Sequence, residues 1–192
     1  MKYMPYSNQK KGMFLAFVAV IFITPDSLLI RLANLTSWDL IFYRGFIPFF
    51  IVFAGLLIVY KSKFISQLLE NGWHGAAYAV TFAITNIFFV ISINNTNVAN
   101  TLIMIALAPM LSAIISFIFL KENTDQKTLV AIIITTLAVI YIFYGSFERG
   151  DVLGNFLGLV CATGLAVGAV IIRSAKKINL VPSAMMGKLM VT

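Results

Sequence analysis

Charge is scarce in this sequence. Of 192 residues, 11% are charged and 60% are hydrophobic, and the mean hydropathy is +0.96. A soluble domain carries about 25% charged residues, and a chain this small has too little interior to hide so much apolar surface from water. A lipid bilayer must cover it, which excludes a water-soluble domain. Cysteine and histidine are nearly absent too. One of each, Cys161 and His74, excludes an intrachain disulfide and any His/Cys metal or iron–sulfur cluster, leaving carboxylates as the only remaining ligand type. The seven acidic residues supply no pair on one helix face within an apolar run, so acid/base hydrolysis in the membrane lacks its groups. Gly187-Lys188 is followed by leucine and lacks the upstream glycine spacing of a phosphate loop. No enzyme activity, cofactor or metal is expected.

What is present is long apolar runs. A helix needs about 20 residues to cross a hydrocarbon core of about 30 Å. Six such windows occur, at 13–33, 38–60, 72–93, 98–120, 128–147 and 151–172. A period-2 barrel pattern is absent, so the spans are predicted to be helices: an all-α, polytopic transmembrane helix bundle. There are 14 basic residues against seven acids, and most of them sit singly or in twos and threes between the runs. No basic face or aromatic-basic array accompanies them, so they read as topology determinants and no nucleic-acid partner is expected. Lys2, Lys10, Lys11, Lys61, Lys63, Lys121, Lys127, Arg173, Lys176 and Lys177 fall on one side, and only Arg31 and Arg149 on the other. The positive-inside rule makes the N-terminus cytoplasmic. The apolar pattern of the first window continues past Thr24-Pro25-Asp26 without a small-residue cleavage site, so it reads as a retained span.

Sliding the chain along itself aligns residues 14–33, FLAFVAVIFITPDSLLIRLA, with 156–175, FLGLVCATGLAVGAVIIRSA. The matched positions include Phe14/Phe156, Arg31/Arg173 and Ala33/Ala175, and a join two residues longer sets Arg44 opposite Lys188. This register covers five spans, an odd number, so the second copy crosses inverted relative to the first, the building principle of many secondary transporters. Residues 1–147 form the first five-helix repeat and 151–192 the start of the second, with Leu180–Thr192 opening a seventh span. On this reading the chain is a truncated or partial product that lacks its C-terminal half.

Several residues stand out within the spans. A charged group inside lipid costs roughly 2.5–3.5 kcal/mol on insertion scales, so each is a functional candidate. Asp26 and Arg44 both lie about 9–10 Å deep at about 1.5 Å per residue, on neighbouring antiparallel spans where they could pair. The pair is either a structural tie or a working group, with Asp26 protonatable and Arg44 anchoring a carboxylate or phosphate. Arg31 lies near enough to the surface to snorkel. Asn86, mid-span beside Thr81 and Thr85, needs a partner from another helix or from a cavity. Asn94, Asn95, Asn97 and Asn100 cluster at a turn, with Asn100 the one placed to face a pathway. Pro25, Pro48 and Pro109 lie within spans and each removes a backbone bond. For Pro109 the alternatives are a tolerated kink and a bend that flexes during alternating access. Gly154/Gly158 and Gly164/Gly168 are small-xxx-small pairs for close helix packing, within the bundle or in a homodimer. Trp38, Trp73 and Tyr60 read as interface anchors. His74 reads as a solvated rim residue, and Cys161 as a small hydrophobe.

The chain resembles the EamA type of the drug/metabolite transporter superfamily. The resemblance rests on PDSLLIRLA (Pro25–Ala33) closing the first span, FYRGFIPFF with Arg44 in the second, NVANTLIMIALAPMLSAIISFIFLKE with Pro109 and Lys121-Glu122 in the fourth, and the glycine-rich sixth. It implies a ten-helix protein of two inverted repeats with a substrate path between them. It also implies secondary transport of a small organic metabolite across the cell inner (plasma) membrane. The alternative is a helical membrane subunit without transport activity, packing on a partner through span six.

Overall fold

In hydrocarbon every backbone N–H and C=O must be satisfied within its own segment or sheet, and apolar runs of this length satisfy them as helices. The computed structural model describes all residues except 1–5, 24, 62–69, 122–125, 150 and 176–177. The described residues form nine helices and no strand: α1 (Tyr6–Ile23), α2 (Asp26–Leu32), α3 (Ser37–Tyr60), α4 (Gly72–Asn95), α5 (Val98–Ile105), α6 (Ala108–Leu120), α7 (Gln126–Arg149), α8 (Val152–Ser174) and α9 (Val181–Met190). Six stretches are long and apolar enough to cross a membrane: Lys11–Leu32, Ser37–Tyr60, Gly72–Asn95, Val98–Leu120, Thr128–Gly145 and Val152–Ser174. They overlap the six windows, and the ten-residue α9 lies within Leu180–Thr192, where the sequence predicts the opening of a seventh span. Lys2, Lys63, Glu122, Lys176 and Lys177 lie outside the described residues.

Two spans expected to be single helices are interrupted. Span four divides at Ala106 and Leu107, because Pro109 has no N–H to offer the Ile105 carbonyl and its ring crowds the preceding turn. The chain tightens there, with Leu107 N–H donating to the Met104 carbonyl at 3.1 Å, and resumes with Leu111 N–H donating to the Leu107 carbonyl at 2.9 Å. In span one, Pro25 caps α2, and its carbonyl accepts from Leu29 N–H at 2.9 Å. Pro48 differs: α3 runs through it unbroken. Side chains fix the helix starts, Thr36 accepting from Asp39 N–H at 3.3 Å and Asn97 from Ala99 N–H at 3.1 Å.

The chain forms two units, residues 1–35 and 36–192. The first contains α1 and α2. The second is organised around α8, which packs most extensively on α4 and also on α5, α6 and α7. Glycines permit this approach. A Cβ on Gly154 would lie 2.5 Å from the Asn95 carbonyl, and one on Gly158 would lie 3.1 Å from Ser92 Oγ and 3.2 Å from Met104. Gly164 meets Thr85, and Gly168 meets the Tyr78 ring. As numbers rise along α8 they fall along α4, so the two helices are antiparallel. Helix α9 packs on α4 and α3, with Met185 and Leu56 at the centre of an apolar cluster that includes Phe49, Phe53 and Met186.

Outside this core the surface is apolar. No residue of α7 between 128 and 145 is buried, and Ile133, Leu137, Ile140 and Tyr141 are at least 60% exposed. A helix that is apolar all round and unburied by protein faces lipid. Trp38 and Trp73 point outward beside the starts of α3 and α4, as membrane-interface anchors do. Tyr60 differs from that expectation. It packs on the Leu56–Met185 cluster, and its hydroxyl oxygen accepts from Asn179 Nδ2 at 2.6 Å, because α9 covers this side of α3.

Candidate functional site

The polar groups of the second unit gather at three levels along α4. The first joins α4, α5 and α8 near Asn95. Ser92 Oγ donates to the Gly154 carbonyl at 2.7 Å and lies 2.8 Å from Thr101 Oγ1. Since the serine has one proton, Thr101 is the donor in the second bond. Asn100 Nδ2 donates to Thr96 Oγ1 at 3.3 Å, and Thr96 in turn donates to Asn155 Oδ1 at 2.9 Å. Asn155 is fully buried. Asn100 thus belongs to a chain of hydrogen bonds that fastens three helices. At the opposite end, Asn71 Nδ2 donates to Ser183 Oγ at 2.8 Å and to the Asn179 carbonyl at 3.0 Å, tying the start of α4 to the start of α9.

The middle level carries the charges. Lys188, on α9, donates from Nζ to Asn86 Oδ1 at 2.6 Å, and its ammonium lies 5.2 Å from the centre of the Phe82 ring. Arg44, on α3, sets its guanidinium 5.2 Å from the centre of the Phe89 ring. Both distances suit a cation over an aromatic face. Asn86 Nδ2 donates to the Phe82 carbonyl at 2.7 Å, which orients its oxygen toward Lys188. Phe82, Asn86 and Phe89 recur at i, i+4 and i+7, one face of a helix. That single stripe of α4 receives a cation from each of two neighbouring helices.

Two glycines bring the backbones close enough. A Cβ on Gly187 would lie 2.7 Å from the Ala79 carbonyl oxygen and 3.1 Å from the Phe82 ring. A Cβ on Gly45 would lie 2.8 Å from the Lys188 carbonyl oxygen and 2.9 Å from Thr192 Oγ1. Each follows or precedes a cation directly in sequence, Arg44-Gly45 and Gly187-Lys188. Any larger residue would push α3 or α4 away from α9.

Of the residues singled out by sequence, Arg44 and Asn86 come to this stripe. Asn100 belongs to the hydrogen-bond chain near Asn95, and Pro109 to the α5–α6 interruption. Gly154, Gly158, Gly164 and Gly168 are engaged within the chain, against α4 and α5. Asp26 is the first residue of α2, in the first unit. Arg173 Nη1 donates to Ser116 Oγ at 3.2 Å, joining the ends of α8 and α6. Cys161 is buried, its thiol 3.5 Å from the Thr85 carbonyl. Among the described residues no group of three or more His, Cys, Asp or Glu is placed to hold a metal ion. Lys188 is the participant that sequence reasoning passed over. The register pairing it with Arg44 was the available signal.

A family model described as the EamA-like transporter family matches residues 10–144. No curated protein and no solved structure matches the chain significantly.

Proposed function

The chain belongs to the EamA-like transporter family, a membrane family of the drug/metabolite transporter superfamily, and from that premise we propose that it moves small organic metabolites by alternating access. The carrying observation is the convergence of Arg44, Asn86 and Lys188 on one stripe of α4, midway along an apolar bundle. Polar and charged groups at such depth are costly, and they mark solute paths in membrane proteins. The α5–α6 interruption at Pro109 is the bend that supplies movement, since a broken helix flexes where its ladder is open. Two inverted repeats supply the symmetry. Helices α3 and α9 run antiparallel and bring Arg44 and Lys188, equivalent positions in the repeat register, to the same face. The excess of basic residues in the alternate joins supports a cytoplasmic N-terminus.

The test is uptake of radiolabelled amino acids and organic acids into proteoliposomes containing the chain. Arg44→Ala and Asn86→Ala are each expected to lower uptake by about tenfold or more, the scale of losing a charged contact, at unchanged protein level. Uptake equal to the parent's in both variants contradicts the site, and no uptake of any solute by the parent contradicts the function.

A further inference from the structure

We infer that two asparagine clasps at the ends of α4 are the outer and inner gates of the solute path. The inner gate is the tighter, so the empty protein opens first to the outside; the inference rests on the transporter reading and the orientation proposed above. Helices α3 and α9 both pack on α4 and start at opposite ends of it. Each carries a serine in its first turn, Ser37 on α3 and Ser183 on α9, and each serine meets an asparagine. At the outer end Asn94 Nδ2 donates to Ser37 Oγ at 2.8 Å. At the cytoplasmic end Asn71, the residue before α4, donates from Nδ2 to Ser183 Oγ at 2.8 Å. Along the helix Asn71 and Asn94 are about 35 Å apart, slightly more than a hydrocarbon core of about 30 Å. One helix therefore holds a neighbour at each membrane surface, and both clasps are closed in the structure. Releasing one while the other stays shut opens the Phe82–Asn86–Phe89 stripe to one side only, which is what alternating access requires.

The two clasps differ in strength. The outer bond is exposed, so water replaces each partner as the other leaves, and little is lost on opening. The inner bond is buried, with Asn71 3% and Ser183 2% exposed, and parting them strands an amide and a hydroxyl away from water. Neighbouring bonds reinforce it. Asn71 Nδ2 also donates to the Asn179 carbonyl at 3.0 Å, and Asn179 Nδ2 donates to the Tyr60 hydroxyl oxygen at 2.6 Å, which draws in the end of α3. Packing follows the same order. Helix α9 lies against α4 more extensively than α3 does, and a Cβ on Gly75 would lie 2.6 Å from Ser183 Oγ. Depth adds to the difference. Asn86 is about 12 Å along α4 from Asn94 and about 22 Å from Asn71, so the outer barrier is thin and the inner one thick.

The experiment follows labelling of Asn86→Cys, in a Cys161→Ala background, by a membrane-impermeant maleimide added to right-side-out or inside-out vesicles. Labelling from outside is expected to be about tenfold faster than from inside, the scale of one buried hydrogen bond. Ser183→Ala should raise the inside rate by about tenfold, whereas Ser37→Ala should change either rate by less than about threefold. Two cysteine pairs, Ser37→Cys with Asn94→Cys and Asn71→Cys with Ser183→Cys, are then closed to disulfides with copper phenanthroline. The outer disulfide should abolish labelling from outside and spare it from inside, the inner disulfide should do the opposite, and dithiothreitol should restore both. An inside rate equal to or above the outside rate overturns the inference. So does failure of either pair to crosslink, or crosslinks that leave both rates unchanged. Proteoliposome uptake that persists through both crosslinks also overturns it and leaves the transporter reading standing. Crosslink-controlled labelling in a chain that takes up no solute does the reverse.

Discussion

Asn155 shows what single polar residues do in this molecule. It is a fully buried amide on α8 that accepts from Thr96 Oγ1, in a neighbourhood where water cannot replace a lost partner. Interhelical hydrogen bonds of this kind contribute about 0.6–2 kcal/mol in membrane proteins. Asn155→Leu is therefore expected to lower stability in detergent by about 1–2 kcal/mol, read as a lower unfolding temperature, with uptake per folded molecule retained. A stability equal to the parent's contradicts the account of this network. Asn86 shows the limit of sequence at this scale. Its depth and its need for a partner follow from its place in an apolar run, but the partner's name does not. Lys188 reaches it only because Gly187 lets α9 lie against the Ala79 carbonyl, and close approach between distant segments leaves no periodic trace.

At the scale of elements, hydropathy locates the spans to within a few residues, because hydrocarbon thickness fixes helix length. It does not show whether a proline kinks a helix or divides it. Pro48 and Pro109 are both flanked by apolar residues, yet α3 continues through the first and the chain breaks before the second. The difference depends on how neighbouring helices resatisfy the freed carbonyl, which is a packing matter. Pro109→Ala restores an N–H opposite the Ile105 carbonyl and joins α5 to α6. The expected outcome is an unfolding temperature equal to or above the parent's and uptake reduced by about threefold or more, since stabilising a flexing element commonly costs activity. Full uptake with raised stability would remove the bend from the transport cycle.

For the whole molecule, the claim that matters is that the Phe82–Asn86–Phe89 stripe is exposed to each side of the membrane in turn. The decisive measurement uses single cysteines in a Cys161→Ala background, labelled by a membrane-impermeant thiol reagent added to right-side-out or inside-out vesicles. Trp38→Cys and His74→Cys, both exposed and at the starts of consecutive spans, which enter from opposite faces, calibrate the two faces: the first should react from outside only and the second from inside only. Asn86→Cys is expected to react from both sides. Reaction of Asn86→Cys from one side alone, or from neither, would contradict alternating access at this site.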